Sequence, residues 1–167
     1  MTAEWVRTGR VWRFGDAVSI EAISPLRYML SPQGRGRACL AQLDPAFAAA
    51  EKDGDLIVAG RMFGHGPGHD HAVLAIKEAG IAGVVATSFA PQFFRHAIGH
   101  GLLVARCPAQ LHESFAGPEL RVDFLEGSAV DCGTGNRWAV DVPGGPARDI
   151  VAAGGLVPFL RNRLAAP

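Results

Sequence analysis

The chemistry of this chain is concentrated in one short stretch, Gly64-His65-Gly66-Pro67-Gly68-His69-Asp70-His71. An imidazole titrates near neutrality and can serve as acid, base or cation. Glycine lets the backbone approach a ligand closely and adopt unusual angles. Where such a loop runs into a helix, free N–H groups and the positive end of the helix dipole favour an anion. Pro67 removes one possible donor. Gly66, Pro67 and Gly68 therefore suit a carboxylate, and His69 is the best candidate for moving a proton. His71 is as well suited to starting the helix as to catalysis. Plainer alternatives stay open: the glycines can simply turn the chain, and His65 and His69 can face solvent. Three histidines at 65, 69 and 71 could also hold a transition metal, although that spacing fits no standard metal motif.

Few other side chains compete for a role. Arg27 can grip a carboxylate through two parallel hydrogen bonds, or pair on the surface. Arg35 and Arg37 lie in a polar, glycine-broken segment, Ser31 to Arg37, expected to be a loop. Ser88 supplies a hydroxyl at a strand end. Cys39, Cys107 and Cys132 are odd in number and far apart, which argues against a disulfide framework and against a complete metal cage in this chain. Cys39 and Cys107 read as small buried apolar residues.

Acidic and basic side chains balance at 16 each, so charge gives no reason to expect nucleic acid or an anionic membrane as partner. No apolar run approaches the ~18–20 residues that span a bilayer. Met1 to Arg13 lacks the apolar core of a signal peptide. A cytoplasmic protein is expected, and 167 residues that are 49% apolar suit one domain over 1–167.

The elements that must position the histidine loop can be read from pattern. Val11 to Phe14 and Asp55 to Ala59 read as strands. Asp44-Pro45 opens a helix, with Asp44 as cap and Pro45 at the first position. Helices are expected from about Asp70 to Glu78, ended by Gly80, and from Pro91 to Ile98; strands at Ile81 to Ala86 and Leu102 to Ala105 follow them. This order implies an α/β fold with parallel strands joined by helical crossovers. From Leu120 the texture changes. Leu120 to Phe124 and Arg137 to Val142 alternate around turns at 126–127 and 133–135, which predicts a β-ribbon at the edge. Helices at about Ala147 to Ala153 and Pro158 to Leu164 close the chain.

The stretch Gly60-Arg-Met-Phe-Gly-His-Gly-Pro-Gly-His-Asp-His-Ala72 resembles the active-site loop of the isopropylmalate dehydratase small subunit and its aconitase-superfamily relatives, usually Gly-Arg-Asn-Phe-Gly-x-Gly-Ser-Ser-Arg-Glu-His-Ala. Thr87-Ser88-Phe89-Ala90, Arg27-Tyr28, Asp44-Pro45-x-Phe47 and Ala153 to Leu160 match in the same order, so the resemblance covers about residues 9–164. It implies a swivelling β/β/α domain that closes over a large subunit carrying a [4Fe-4S] cluster, a small carboxylate substrate, and the removal and re-addition of water beside that carboxylate. It also implies substrate contacts from Gly66, Pro67, Gly68, Arg27 and Ser88, and makes Arg35 and Arg37 neighbours of the substrate's variable group. The departures fall on the chemistry. Pro67, Gly68 and His69 stand where the family has Ser-Ser-Arg, so both loop hydroxyls and the guanidinium are missing. Ser19-Ile20-Glu21 replaces Asn-Thr-Asp, Pro91 replaces an arginine, and His96 replaces a usual asparagine. Three functions follow: half of a divergent hydro-lyase with His69 in the serine's place, a non-catalytic binding or regulatory homologue, or a stand-alone metal enzyme.

Overall fold

The computed structural model describes residues 4–50 and 52–165. Residues 1–3, 51, 166 and 167, parts of the opening segment Met1 to Arg13 and of the span 1–167, lie outside them. Seven strands form one sheet in the order β4-β3-β2-β1-β5-β6-β7. They are β1 (Val6–Phe14), β2 (Leu56–Ala59), β3 (Gly83–Ala86), β4 (Leu103–Arg106), β5 (Glu119–Asp123), β6 (Ser128–Asp131) and β7 (Arg137–Ala139). The helices are α1 (Ile20–Ile23), α2 (Pro32–Ala38), α3 (Pro45–Ala49), α4 (His71–Glu78), α5 (Pro91–Gly99), α6 (Ala109–Ser114), α7 (Gly145–Ala152) and α8 (Leu156–Ala165).

β1 to β4 are parallel neighbours in chain order. β1 is longer than its sequence signal because it serves two partners. Val11 to Phe14 run parallel to β2, whereas Val6 to Arg10 run antiparallel to β5. The expected edge ribbon is β5, β6 and β7, with β6 as a strand that the alternation did not mark.

Strand residues alternate between two cores, as a period of two requires. Ile57, Ala59, Val84, Ala86 and Val104 face the helices α1 to α5 around Phe47, Phe63 and Phe93. Leu56, Val58, Val85, Leu103 and Ala105 face α6, α7 and the ribbon around Leu111, Phe115 and Phe124. Successive crossovers of one hand place their helices on one face, which is why the first five helices share a side.

Ser31 to Arg37 corrects the expectation of a loop. Ser31 caps α2, its hydroxyl accepting from Gly34 N–H at 3.2 Å, and Pro32 sits in the first turn. Gly36 looked like a breaker but serves close approach: a Cβ there would stand 2.9 Å from the backbone of Glu78 on α4. The helix at Asp44 forms as expected, with Asp44 Oδ1 accepting from Ala46 N–H at 2.9 Å and Phe47 N–H at 3.2 Å.

Candidate functional site

The carboxyl ends of β1 to β4 lie along one edge of the sheet, the edge where open α/β sheets place their ligand crevice. The connection from Gly60 to Asp70 crosses that edge and is laced to its neighbours by backbone hydrogen bonds. Gly60 N–H donates to Gly15 O at 3.1 Å, Ala17 N–H to Arg61 O at 2.7 Å, Gly64 N–H to Val18 O at 2.8 Å and Ile20 N–H to His65 O at 2.8 Å. On the other side Phe63 N–H donates to Ser88 O at 3.0 Å, and Ala90 N–H to Phe63 O at 2.9 Å. The first half of the loop thus behaves as a strand extension held from both sides.

Two features missed in the sequence make that lacing tight. Asp16 accepts from Arg61 N–H at 2.7 Å and from the Arg61 guanidinium at 2.8 and 3.0 Å. The backbone N–H first, and the guanidinium second, hold the Asp16 carboxyl below its ordinary range. The signal was present but unread: parallel neighbours β1 and β2 leave the sheet with Asp16 and Arg61 side by side. Ala17 and Met62 hold left-handed angles, φ +54° and +56°, and strained non-glycine residues gather at constrained sites. Gly64 is obligatory: its φ is +79°, and a Cβ would meet the Phe93 side chain at 2.3 Å.

From Gly66 onward the loop opens. Gly66 has φ +116° with nothing near its missing side chain, and Gly66, Pro67 and His69 are exposed. Among the described residues no hydrogen bond occupies the backbone N–H groups of Gly66, Gly68 and His69, and the eight-residue α4 begins directly behind them. This is the arrangement that favours an anion.

The three loop histidines have different surroundings. His65 donates from Nε2 to Ala17 O at 2.9 Å. His71 is buried and donates from Nε2 to Ser24 O at 3.1 Å; its Nδ1 is buried without a partner. Burial lowers the His71 pKa from its ordinary 6.5, against the opposing hydrogen bond to Ser24. His69 is exposed, its ring 5.8 Å from that of His71, and no hydrogen bond engages it among the described residues. Among the described residues no three His, Cys, Asp or Glu side chains stand together to hold a metal ion.

Other expected residues are placed less closely. Ser88 Oγ accepts from Met62 N–H at 2.9 Å, which ties it to the loop's strained start. Arg27 stacks on Tyr28 at 4.9 Å and lines a separate hollow with Arg37, away from the loop residues. Arg35 is held by Glu78 on α4, its Nε donating at 2.9 Å. Cys39 and Cys107 are buried, and burial pushes their thiols up to about 12 and about 11.

Beside the loop lies a cleft of about 430 Å³ lined by Gly68, His69, Asp70, Arg95, His96 and His100, with Leu156 and Val157 of α8. Asp70 does not cap α4 with its side chain. Its carboxylate instead accepts from His100 Nε2 at 2.9 Å. Asp70, Arg95 and His100 were not singled out in the sequence, because only the packing of α4 against α5 brings them together. A hollow of about 480 Å³ lies at the opposite edge, by the starts of β3 and β4, and holds none of the loop residues.

Comparison with known proteins gives a consistent result. The family described as the aconitase C-terminal domain matches residues 34–110. The chain is 37% identical to the 3-isopropylmalate dehydratase small subunit of Heliobacterium modesticaldum, over 95% of this chain and 96% of that one. It is 39% identical to the Aquifex aeolicus protein of the same name, over 94% and 95%. It is 37% identical to the isopropylmalate/citramalate isomerase small subunit of Methanocaldococcus jannaschii, over 94% and 95%. The crystal structure of 3-isopropylmalate dehydratase from that archaeon superposes with a TM-score of 0.89, at 37% identity and 95% coverage of both chains. Matches of that length leave no large segment of either chain unaccounted for.

Proposed function

This chain belongs to the 3-isopropylmalate dehydratase small-subunit family of the aconitase superfamily, and from that premise we propose that it is the small half of a heteromeric hydro-lyase whose loop chemistry has diverged. The substrate is a hydroxy-carboxylate related to isopropylmalate, and the reaction removes or re-adds water beside a carboxylate. The carrying observation is the open segment Gly66 to His69, with unengaged N–H groups ahead of α4 at the carboxyl edge of the parallel strands.

His69 takes over the proton transfer for which the family uses a loop hydroxyl. It is the exposed imidazole of the loop, and neither Pro67 nor Gly68 can move a proton by its side chain. Gly66 and Gly68 admit the substrate carboxylate to the backbone, and Pro67 fixes the turn between them. His71 is proposed to act from behind, its ring anchored on Ser24 O. Ser88 offers its hydroxyl proton at the loop's start, and Arg27 offers an exposed guanidinium from the neighbouring turn. A [4Fe-4S] cluster, where the complex has one, belongs to the large subunit. Of this chain's cysteines, Cys39 and Cys107 are buried with raised pKa values, and Cys132 is exposed on the ribbon, a set that does not fit a cluster cage.

Anaerobic co-expression with an aconitase-type large subunit tests this function. A stable complex that interconverts 3-isopropylmalate or a close hydroxy acid with its unsaturated product is expected; two subunits that never associate would refute it. In that complex His69→Ala should lower kcat by about 100-fold or more. Unchanged turnover would remove His69 from the chemistry while leaving the assembly intact.

A further inference from the structure

We propose that the cleft between α4, α5 and α8 is an anion subsite, taking a small carboxylate or phosphate-type dianion against Arg95, His69, His96 and His100. Four observations carry this. Arg95 is exposed and makes no ion pair or hydrogen bond among the described residues, yet it lines a concave cleft of about 430 Å³. Three imidazoles line the same cleft, and the Nδ1 of one of them, His96, is buried without a partner. The one carboxylate in the wall, Asp70, is turned onto His100 Nε2 at 2.9 Å. The N-terminus of α4 opens on the same side, next to Gly68 and His69.

The charges that face the cleft explain why an anion fits. With its imidazoles neutral, Arg95 balances Asp70. Asp70 is engaged by His100, and among the described residues no other carboxylate lines the cleft to meet Arg95, His69 or His96. Lys77 of α4 lines the hollow at the opposite edge, its Nζ donating to His100 O. Arg35 of α2 is compensated by Glu78. Leu156 and Val157 of α8 close the wall with apolar surface, where a charge-assisted hydrogen bond is stronger than in open water. The hydrogen bond to Asp70 also orients the His100 ring, with the proton of that bond on Nε2.

The source of the anion rests on the function proposed above: in that case it is a further carboxylate of the substrate held by the loop. A free inorganic dianion would use the same chemistry. Titration of the full chain with malate and, separately, with inorganic phosphate, followed through its imidazole NMR signals, tests the site and distinguishes the two. His69, His96 and His100 should shift together and saturate. His65 and His112, whose Nε2 atoms face Ala17 O and Phe14 O, should stay put. Arg95→Gln should lower the affinity about tenfold. Tighter binding of malate would assign the site to a carboxylate, and tighter binding of phosphate to an inorganic dianion. His96→Asn, a second surface-compatible change, should weaken both. Shifts spread over all six histidines, curves that never saturate, or an Arg95→Gln chain that binds as before would overturn the proposal. Failure of the hydro-lyase assignment would show instead as a missing complex or missing turnover, and these titrations would not change.

Discussion

His71 is the residue at which local electrostatics and stability meet. It is 3% exposed, its Nε2–H is spent on Ser24 O, and burial disfavours its charged form. A histidine with a depressed pKa in the folded state binds fewer protons there than in the unfolded chain. Stability then rises with pH across that interval and is lost as pH falls through 6.5, its ordinary value. The carboxyls held low, Asp16 and Asp131, act only below their ordinary 3.8. Loss of denaturation midpoint between about pH 7 and about pH 5 should therefore trace largely to His71. His71→Gln should flatten that part of the profile, even if its absolute stability is lower; an unchanged slope would assign the acid sensitivity elsewhere. The same burial separates His71 from His69: one ring is committed to the scaffold, while the other stands open to a ligand.

At the scale of elements, the site depends on how closely α2, α4 and α5 pack beneath it. Gly36 lets α2 lie against the end of α4, and the Arg35–Glu78 pair spans the same contact. Gly36→Val would force the two helices apart, at a cost of about 1–3 kcal/mol for overpacking. A urea titration should show that loss, together with a change in His71, which starts α4. No change in midpoint would mean that α2 can move away freely. The α2 segment also shows where sequence signals compete. Two glycines and a proline read as loop residues, yet Pro32 sits in the first turn behind the Ser31 cap, and Gly36 is the price of helix contact. By contrast the Asp44-Pro45 signal was unambiguous, because cap and first-turn proline agree.

At the scale of the molecule, one continuous sheet separates two cores, and the parallel strands are buried on both faces. The ribbon is different. β7 is an edge strand whose residues are exposed or half-buried, and its neighbouring turn is held by Asp131. Burial works upward on that carboxyl, but N–H groups of Gly133 and Thr134 outweigh it and keep the pKa below its ordinary range. Amide exchange should be slowest in β2 and β3, whose residues are all buried, and fastest among the strands in β7. Equal protection across all seven strands would contradict this division.

The order of strands and helices from Asp55 to Ala105, the helix at Asp44 and the edge ribbon were legible in the sequence, because each rests on local period, cap or turn chemistry. So was the histidine loop, since its residue types announce themselves. The roles within it were not. Whether an imidazole is buried against a carbonyl, as His71 is, or open, as His69 is, depends on residues more than forty positions away, such as Ser24. The meeting of Asp70 with His100 and Arg95 likewise depends on the packing of two helices over a sheet. Sequence alone determined which titratable groups and glycines the loop carries; only the tertiary structure decided which of them stand together, because side-chain proximity across elements is set by long-range packing rather than by spacing along the chain.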